Sequence, residues 1–232
     1  DPQFGLDNGF YVFVLPGLKL VLAAVAMLLG VGLVFSVVTH VLMGGIRITM
    51  PVNGRGLFSI TKRCRRQLGI WLMLNMFAWA ARQMIGVFDQ LTVQGSRITG
   101  ASYTAVHANI PVTFIMAALT AILGVVLGIW LMRSHTLEGQ ASIGVRASAA
   151  LKAWRVPVTS IAVVVVVGLV LTVAWPVLLQ RFRVNPNAQE MESTYIQRNI
   201  DATRAAYGLD KLKTEQYKVT DKGEPVSYTH LT

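Results

Sequence analysis

The sequence predicts an all-α membrane protein: four transmembrane helices followed by the start of an extracytoplasmic domain of α/β or α+β type. Three observations carry this prediction. Of the 232 residues, 53% are hydrophobic and only 14% charged, whereas ordinary globular chains carry about a quarter charged residues. Four apolar runs are each long enough to cross a hydrocarbon layer about 30 Å thick, which takes roughly 20 residues of helix. Basic residues, finally, collect in alternate connections between those runs.

The runs lie at about 18–43, 68–88, 111–132 and 157–179, so residues 17–180 form the bundle, with 1–16 an extracytoplasmic leader and 181–225 the beginning of the outer domain. The first has no charge between Lys19 and Arg47. The fourth holds consecutive valines from Val163 to Val167, which in water would suggest a buried strand. In lipid an isolated strand leaves backbone groups unpaired at several kcal/mol each, so a helix is required.

Orientation follows from the loops. The first connection holds Arg47, Arg55, Lys62, Arg63, Arg65 and Arg66 with no acid. The second, 89–110, carries Asp89 and Arg97, and the third holds Arg133, Arg146, Lys152 and Arg155 against Glu138. Basic counts of six, one and four place the first and third connections in the cytoplasm and both termini outside. A net charge of +10 could suggest nucleic acid, but 13 of the 21 basic residues precede residue 181 and mostly flank apolar runs, so no nucleic-acid partner is expected. Residues 54–67 mix Leu57, Phe58 and Ile60 with cations. They are expected to lie along the inner leaflet, with Arg55, Lys62, Arg63, Arg65 and Arg66 against anionic lipid at about 1 kcal/mol each. The single cysteine, Cys64, cannot form an internal disulfide; its acylation is conceivable, but such a lone thiol is usually unmodified.

None of the four runs contains Asp or Glu, which disfavours a carboxylate proton relay or a cation-coupling site within them. Arg82 lies within the second run, near its outer end. It is expected to snorkel toward Asp89 or a lipid phosphate, with a buried anion or substrate site as the second reading. His40 and Asn75 read as interhelical hydrogen-bonding groups. Gly124 and Gly128 form a small-xxx-small pair suited to packing within the bundle, or to self-association into a homo-oligomer, and Gly30 with Gly32 adds another close-packing candidate.

The loop GSRITGASYTAVHANIP at 95–111 is rich in Gly and hydroxyls for a simple connection. It is expected to be a structured turn, bent at Gly100, that packs on the tail. In the tail, Asn187 with Glu190 has the form of a reciprocal helix cap, and Met191, Tyr195, Ile196, Ile200 and Tyr207 make an apolar stripe ending at Gly208, which predicts one helix over 188–207. Candidate functional or docking residues are therefore Tyr103, Thr104, His107 and Asn109 in the loop and Tyr195, Asn199, Arg204 and Tyr207 on the helix. Beyond Leu209, KLKTEQYKVTDKGEPV reads as a short strand and turn. No catalytic triad, metal-ligand spacing or cofactor motif is present, so none is assigned.

Three stretches resemble a bacterial membrane family known as uncharacterised protein family 0182. The leader DPQFGLDNGFYVFVLP at 1–16 is similar to its DP-F-x-x-D-x-x-FY-x-F-x-LP signature, and GASYTAVHANIP at 100–111 to its GASYTDVxAxxP motif. QRFRVNPNAQEMESTYIQRNIDATRAAYGL at 180–209 is similar to QxFxVxPNExxxExxYIxxNIxxTRxAYGL. Order and spacing agree from about residue 1 to 224. Ala105 and Ala188 stand where the family patterns have acids, which puts in doubt any cation site built on those acids.

The resemblance implies about seven spans and a large extracytoplasmic domain, with this chain holding the last four spans and the start of the domain. VSYTHLT at 226–232 looks like translated adaptor sequence and is expected to be non-native. The expected role is a scaffold or envelope-maintenance component in the bacterial plasma membrane, with no established reaction. The alternatives are a transporter or channel component and an enzyme whose site lies in the absent outer domain. Expected partners are the lipid bilayer and the remaining spans and outer domain of the full-length chain.

Overall fold

A computed structural model describes residues 2–48, 58–92, 100–134, 143–209 and 212. Arg55, Arg97, Glu138 and the expected strand, turn and terminal segment beyond Leu212 lie outside the described residues. The chain is mostly helical. Helix α1 spans Leu15–Leu42, α2 Lys62–Gly86, α3 Ile110–Arg133, α4 Ile143–Leu169, α5 Trp175–Leu179 and α6 Ala188–Ala206. A short antiparallel pair, β1 Ile46–Ile48 and β2 Phe58–Ile60, sits between α1 and α2 with Ile46 opposite Ile60. These two strands were not anticipated. Each is three residues long, too short for alternation to register in sequence.

Proline shapes the helices. Four π-helical turns, Phe10–Val14, Ala105–Asn109, Val170–Ala174 and Gln180–Val184, each end two residues before a proline, namely Pro16, Pro111, Pro176 and Pro186. In each case the residue just before the proline donates its N–H to a carbonyl five positions back, as Leu15 does to Phe10 and Asn185 to Gln180. A proline ring has no N–H and crowds the carbonyl four residues earlier; widening the preceding turn accommodates it without breaking the helix. The helical rods therefore run further than the apolar cores expected from sequence. Continuous stretches Phe10–Leu42, Ala105–Arg133 and Arg155–Val184 are long and apolar enough to cross a membrane by length and composition. Helix α2 coincides with the remaining expected span but is not among these three; Asn75, Arg82 and Gln83 dilute its apolar character.

Helix α2 packs against both α1 and α3, and α4 packs on α3. Glycines let α2 and α3 approach: a Cβ built on Gly69 would lie 2.8 Å from the Gly128 carbonyl oxygen, and Gly124 faces Met76. The small-residue face is thus occupied inside the bundle. Asn75 donates from Nδ2 to the Leu29 carbonyl at 3.1 Å, and His40 Nε2 lies 3.0 Å from Gln67 Oε1, so both bridge α1 and α2 as expected. Gln83 Nε2 donates to Thr120 Oγ1 at 3.0 Å between α2 and α3. Outside these contacts the rods are apolar on the surface. Phe13, Leu20, Met27, Leu28, Phe35 and Leu42 on the first rod are all more than two-thirds exposed, Phe35 at 67% being the least. A water-facing surface rarely carries so much contiguous apolar area.

Helix α1 closes with paired bonds, Gly44 N–H to Val41 and Gly45 N–H to His40 at 2.7 Å. Gly44 has φ +71°, a left-handed conformation suited to glycine. Thr61 then caps α2, its hydroxyl accepting from the Cys64 N–H. Two expectations for this end change. Residues 62–67 are the opening turns of α2 rather than a separate interfacial segment, and Arg65 is fully buried, donating from Nη1 to the Ser134 carbonyl at the end of α3. Arg65 therefore leaves the lipid-facing set: its charge meets the negative end of the α3 dipole, where it satisfies a helix-terminal carbonyl. Cys64 is also fully buried, out of reach of acylation.

Gly69→Val is expected to destabilise the detergent-solubilised protein by about 1–3 kcal/mol through overpacking against immovable backbone, read as a lowered thermal midpoint. Arg65→Ala should cost about 1–3 kcal/mol by leaving a buried carbonyl unsatisfied. Arg66→Ala, an exposed neighbour, should stay within about 0.5 kcal/mol in the same assay.

Candidate functional site

The leader, the 100–109 turn and α6 meet at one end of the bundle. Glu192, on the second turn of α6, is only 8% exposed, and its Oε2 accepts the Tyr103 backbone N–H at 3.2 Å. The carboxylate ties the two elements where water would otherwise compete. Tyr195, one turn further on, meets the Tyr103 ring edge to face at 6.4 Å between centroids. Arg198 places its guanidinium 5.5 Å from the centre of the Tyr195 ring and donates from Nη1 to Gln3 Oε1 at 3.3 Å, which brings in the leader. Burial pushes the Tyr195 phenol above its usual pKa, Glu192 and Tyr103 add to the shift, and Arg198 opposes it. Tyr195 accordingly remains a neutral phenol at physiological pH.

Only the bend at Gly100 remains of the expected turn: residues 103–109 are helical and run straight into α3, and their own side chains brace this lead-in. Ser102 Oγ accepts from the Ala105 N–H at 3.2 Å, and His107 stacks on Tyr103 at 4.1 Å with its Nδ1 3.1 Å from the Tyr103 carbonyl oxygen. Thr104 donates its hydroxyl to Gln180 Oε1, and Gln180 Nε2 donates to Asn185 Oδ1 at 3.1 Å. Between leader, turn and helix lies a cavity of about 370 Å³, lined by Gln3, Asn8, Tyr11, Tyr195, Arg198 and Asn199 among others. Amides, two phenol rings and one guanidinium suit a small polar ligand bound by hydrogen bonds and stacking rather than by acid–base chemistry. Among the described residues no three His, Cys, Asp or Glu side chains converge as metal ligands would.

Of the residues proposed from sequence, Tyr103, Thr104, Tyr195 and Asn199 come together here. His107 is exposed on the far side of Tyr103, and Asn109 instead donates to Gln90 Oε1 at 3.3 Å. Arg204 is exposed, and Tyr207 is 77% exposed. The expected apolar stripe of α6 is not its buried face: Tyr195 is buried, but Ile196 and Ile200 are exposed. Nor does the Asn187 side chain make a cap bond, although the helix does begin at Ala188. Sequence reasoning missed Glu192, Arg198 and Gln180; the spacing of Glu192, Tyr195, Asn199 and Ala202 on one helical face was the available signal. Away from this cavity, Asp89 pairs with Lys19 rather than with Arg82.

The profile of an uncharacterised protein family, UPF0182, matches residues 1–230. The chain belongs to this family. It is 78% identical over 224 residues to a UPF0182 protein of Bifidobacterium adolescentis, covering 97% of this chain and 21% of that protein. A UPF0182 protein of Kocuria rhizophila is 35% identical over 227 residues, covering 97% of this chain and 20% of the relative. One from Corynebacterium glutamicum is 34% identical over 209 residues, covering 90% and 19%. The chain thus spans about a fifth of the length of the curated relatives it matches. No solved structure matches it. The UPF0182 profile reaches into residues 226–230, part of the segment expected to be non-native. The three stretches through which the sequence resembles UPF0182 are the three elements that meet around the cavity.

In the full-length UPF0182 protein carrying Cys64→Ala, Ala101→Cys with Asn199→Cys should be joined by a short bifunctional thiol reagent in intact cells. Ala101→Cys with Tyr207→Cys should not. Equal yields from the two pairs would dismiss the docked arrangement.

Proposed function

We propose that this segment is the membrane-embedded seat of a larger bacterial envelope protein, a scaffold that holds an extracytoplasmic domain in fixed relation to a helical bundle. The observation that carries this reading is the buried Glu192 carboxylate on the Tyr103 backbone. It anchors α6 to the bundle instead of leaving it on a free hinge. The surface of the rods supports embedding in lipid, and α2, held between two such rods, crosses with them. Alternating basic loops orient the chain with both ends outside the plasma membrane. Lys62, Arg63 and Arg66, all exposed, then face anionic lipid on the cytoplasmic side.

Apart from Arg82, the polar groups that a transport path would use are spent on helix packing. Asn75 holds Leu29, His40 meets Gln67, and Thr120 receives Gln83. That favours scaffold over transporter. Catalysis, if the full-length protein has any, falls to the outer domain.

Reporter fusions to the full-length protein test the topology. Green fluorescent protein should fluoresce when fused after Met43 or Ser134, and alkaline phosphatase should be active after Thr92 or Leu209; the inverse pattern would overturn the orientation. Loosening the seat by Glu192→Ala should speed tryptic cleavage at Arg198 and Arg204 several-fold in spheroplasts, and an unchanged rate would remove the anchoring role.

A further inference from the structure

We infer that Arg82 and Lys19 form a seat for the phosphodiester of one lipid headgroup, between α1 and α2 near the end that carries α6. A cavity of about 240 Å³ opens there, lined by Lys19, Leu22, Arg82, Ile85, Gly86 and Asp89. Its polar contents do not balance. Asp89 is neutralised by Lys19, and among the described residues Arg82 has neither an ion pair nor a hydrogen bond. Two cations against one carboxylate leave a surplus of one positive charge, which a monoanion completes.

Depth decides which monoanion. Arg82 lies seven residues before Asp89, about 10 Å along a helix. Its side chain is exposed at the mouth of a cavity walled by Leu22 and Ile85, and Val21, Val25 and Met84 at the same level of α1 and α2 are also exposed and apolar. On the membrane reading proposed above, on which this inference rests, acyl chains cover these residues. A guanidinium there extends its stem toward the interface and meets phosphate oxygens two at a time. Leu22 and Ile85 give the cavity apolar walls for the upper part of the chains. A Cβ built on Gly86 would meet nothing within 4 Å, so the backbone side of the seat stays open. Free inorganic phosphate offers the same oxygens, but it carries no acyl chains, so it leaves the apolar walls bare. The lipid phosphodiester is the better match.

The test is native mass spectrometry of the full-length protein in mild detergent, titrated with phosphatidylglycerol. One lipid should be retained preferentially. Arg82→Gln should weaken it about tenfold or more, the loss of a bidentate contact, while Arg82→Lys should keep part of it. Leu22→Trp fills the cavity without changing its charge and should also release the lipid, so a poorly folding Arg82 variant does not decide the matter. Millimolar inorganic phosphate should leave the bound lipid in place. Equal retention by the parent, Arg82→Gln and Leu22→Trp proteins would overturn the seat, as would complete displacement by inorganic phosphate, which would assign the site to a free anion. A chain that remains in the membrane pellet after alkaline carbonate washing yet retains no lipid fails only this inference; a chain released by the wash fails the membrane reading too.

Discussion

A backbone surrounded by hydrocarbon has to satisfy its own hydrogen bonds, and most of this structure is a working-out of that constraint. The helices run long because ending one inside the apolar layer would strand several carbonyls and amides. Prolines threaten this continuity most, since each removes a donor and crowds a carbonyl. The four π-helical turns keep the rods intact by shifting one bond to a carbonyl five residues back. Three of these turns contribute to the α6 end: the one before Pro16 presents Tyr11 to the cavity, the one before Pro111 carries Ala105–Asn109, and the one before Pro186 supplies Gln180.

Because lipid tails are as apolar as leucine, burial by itself does little to hold one helix on another. Contact between α2 and its neighbours relies on close approach and on polar bonds. Gly69 and Gly128 bring two backbones together, and Asn75 hydrogen-bonds to a carbonyl of α1. Arg65 does the equivalent at the other end, where its charge and its donors meet the exposed carbonyl end of α3. These are the interactions that single substitutions can remove. The exposed leucines and valines outnumber them but choose only the solvent.

Much of this was readable in the residues. The centres of the four apolar segments, the α6 helix at 188–207 against the observed Ala188–Ala206, its stop at Gly208 and the packing of the 100–111 stretch on the tail followed from period, length and turn chemistry, although that stretch is helical from Tyr103 onward rather than a turn. The failures have physical causes. Hydropathy sees no π turn, because widening one turn changes a hydrogen bond and not the composition. Arg65 looked like its neighbours Arg63 and Arg66, yet a helix turns about 100° per residue, so the three side chains leave in different directions and only Arg65 is buried against the end of α3. On α6 the apolar period suggested a buried face containing Ile196 and Ile200, whereas the face that docks carries Glu192, Tyr195 and Asn199. A polar docking face cannot be recognised by hydrophobic periodicity, since its bonds depend on the backbone it meets.

The geometry of the junction has a consequence for whatever follows α6. The last rod ends at Val184, only Asn185, Pro186 and Asn187 separate it from Ala188, and Asn185 is already bonded to Gln180 through both backbone and side chain. So short a link, stiffened by a proline, leaves few directions for α6 to take. Glu192 and Arg198 then select among them by reaching the loop and the leader. The direction in which the chain leaves Gly208 is therefore set by contacts among three elements that are far apart in sequence. A change in any one of them would tilt α6, and with it everything α6 carries, even if the bundle below were undisturbed.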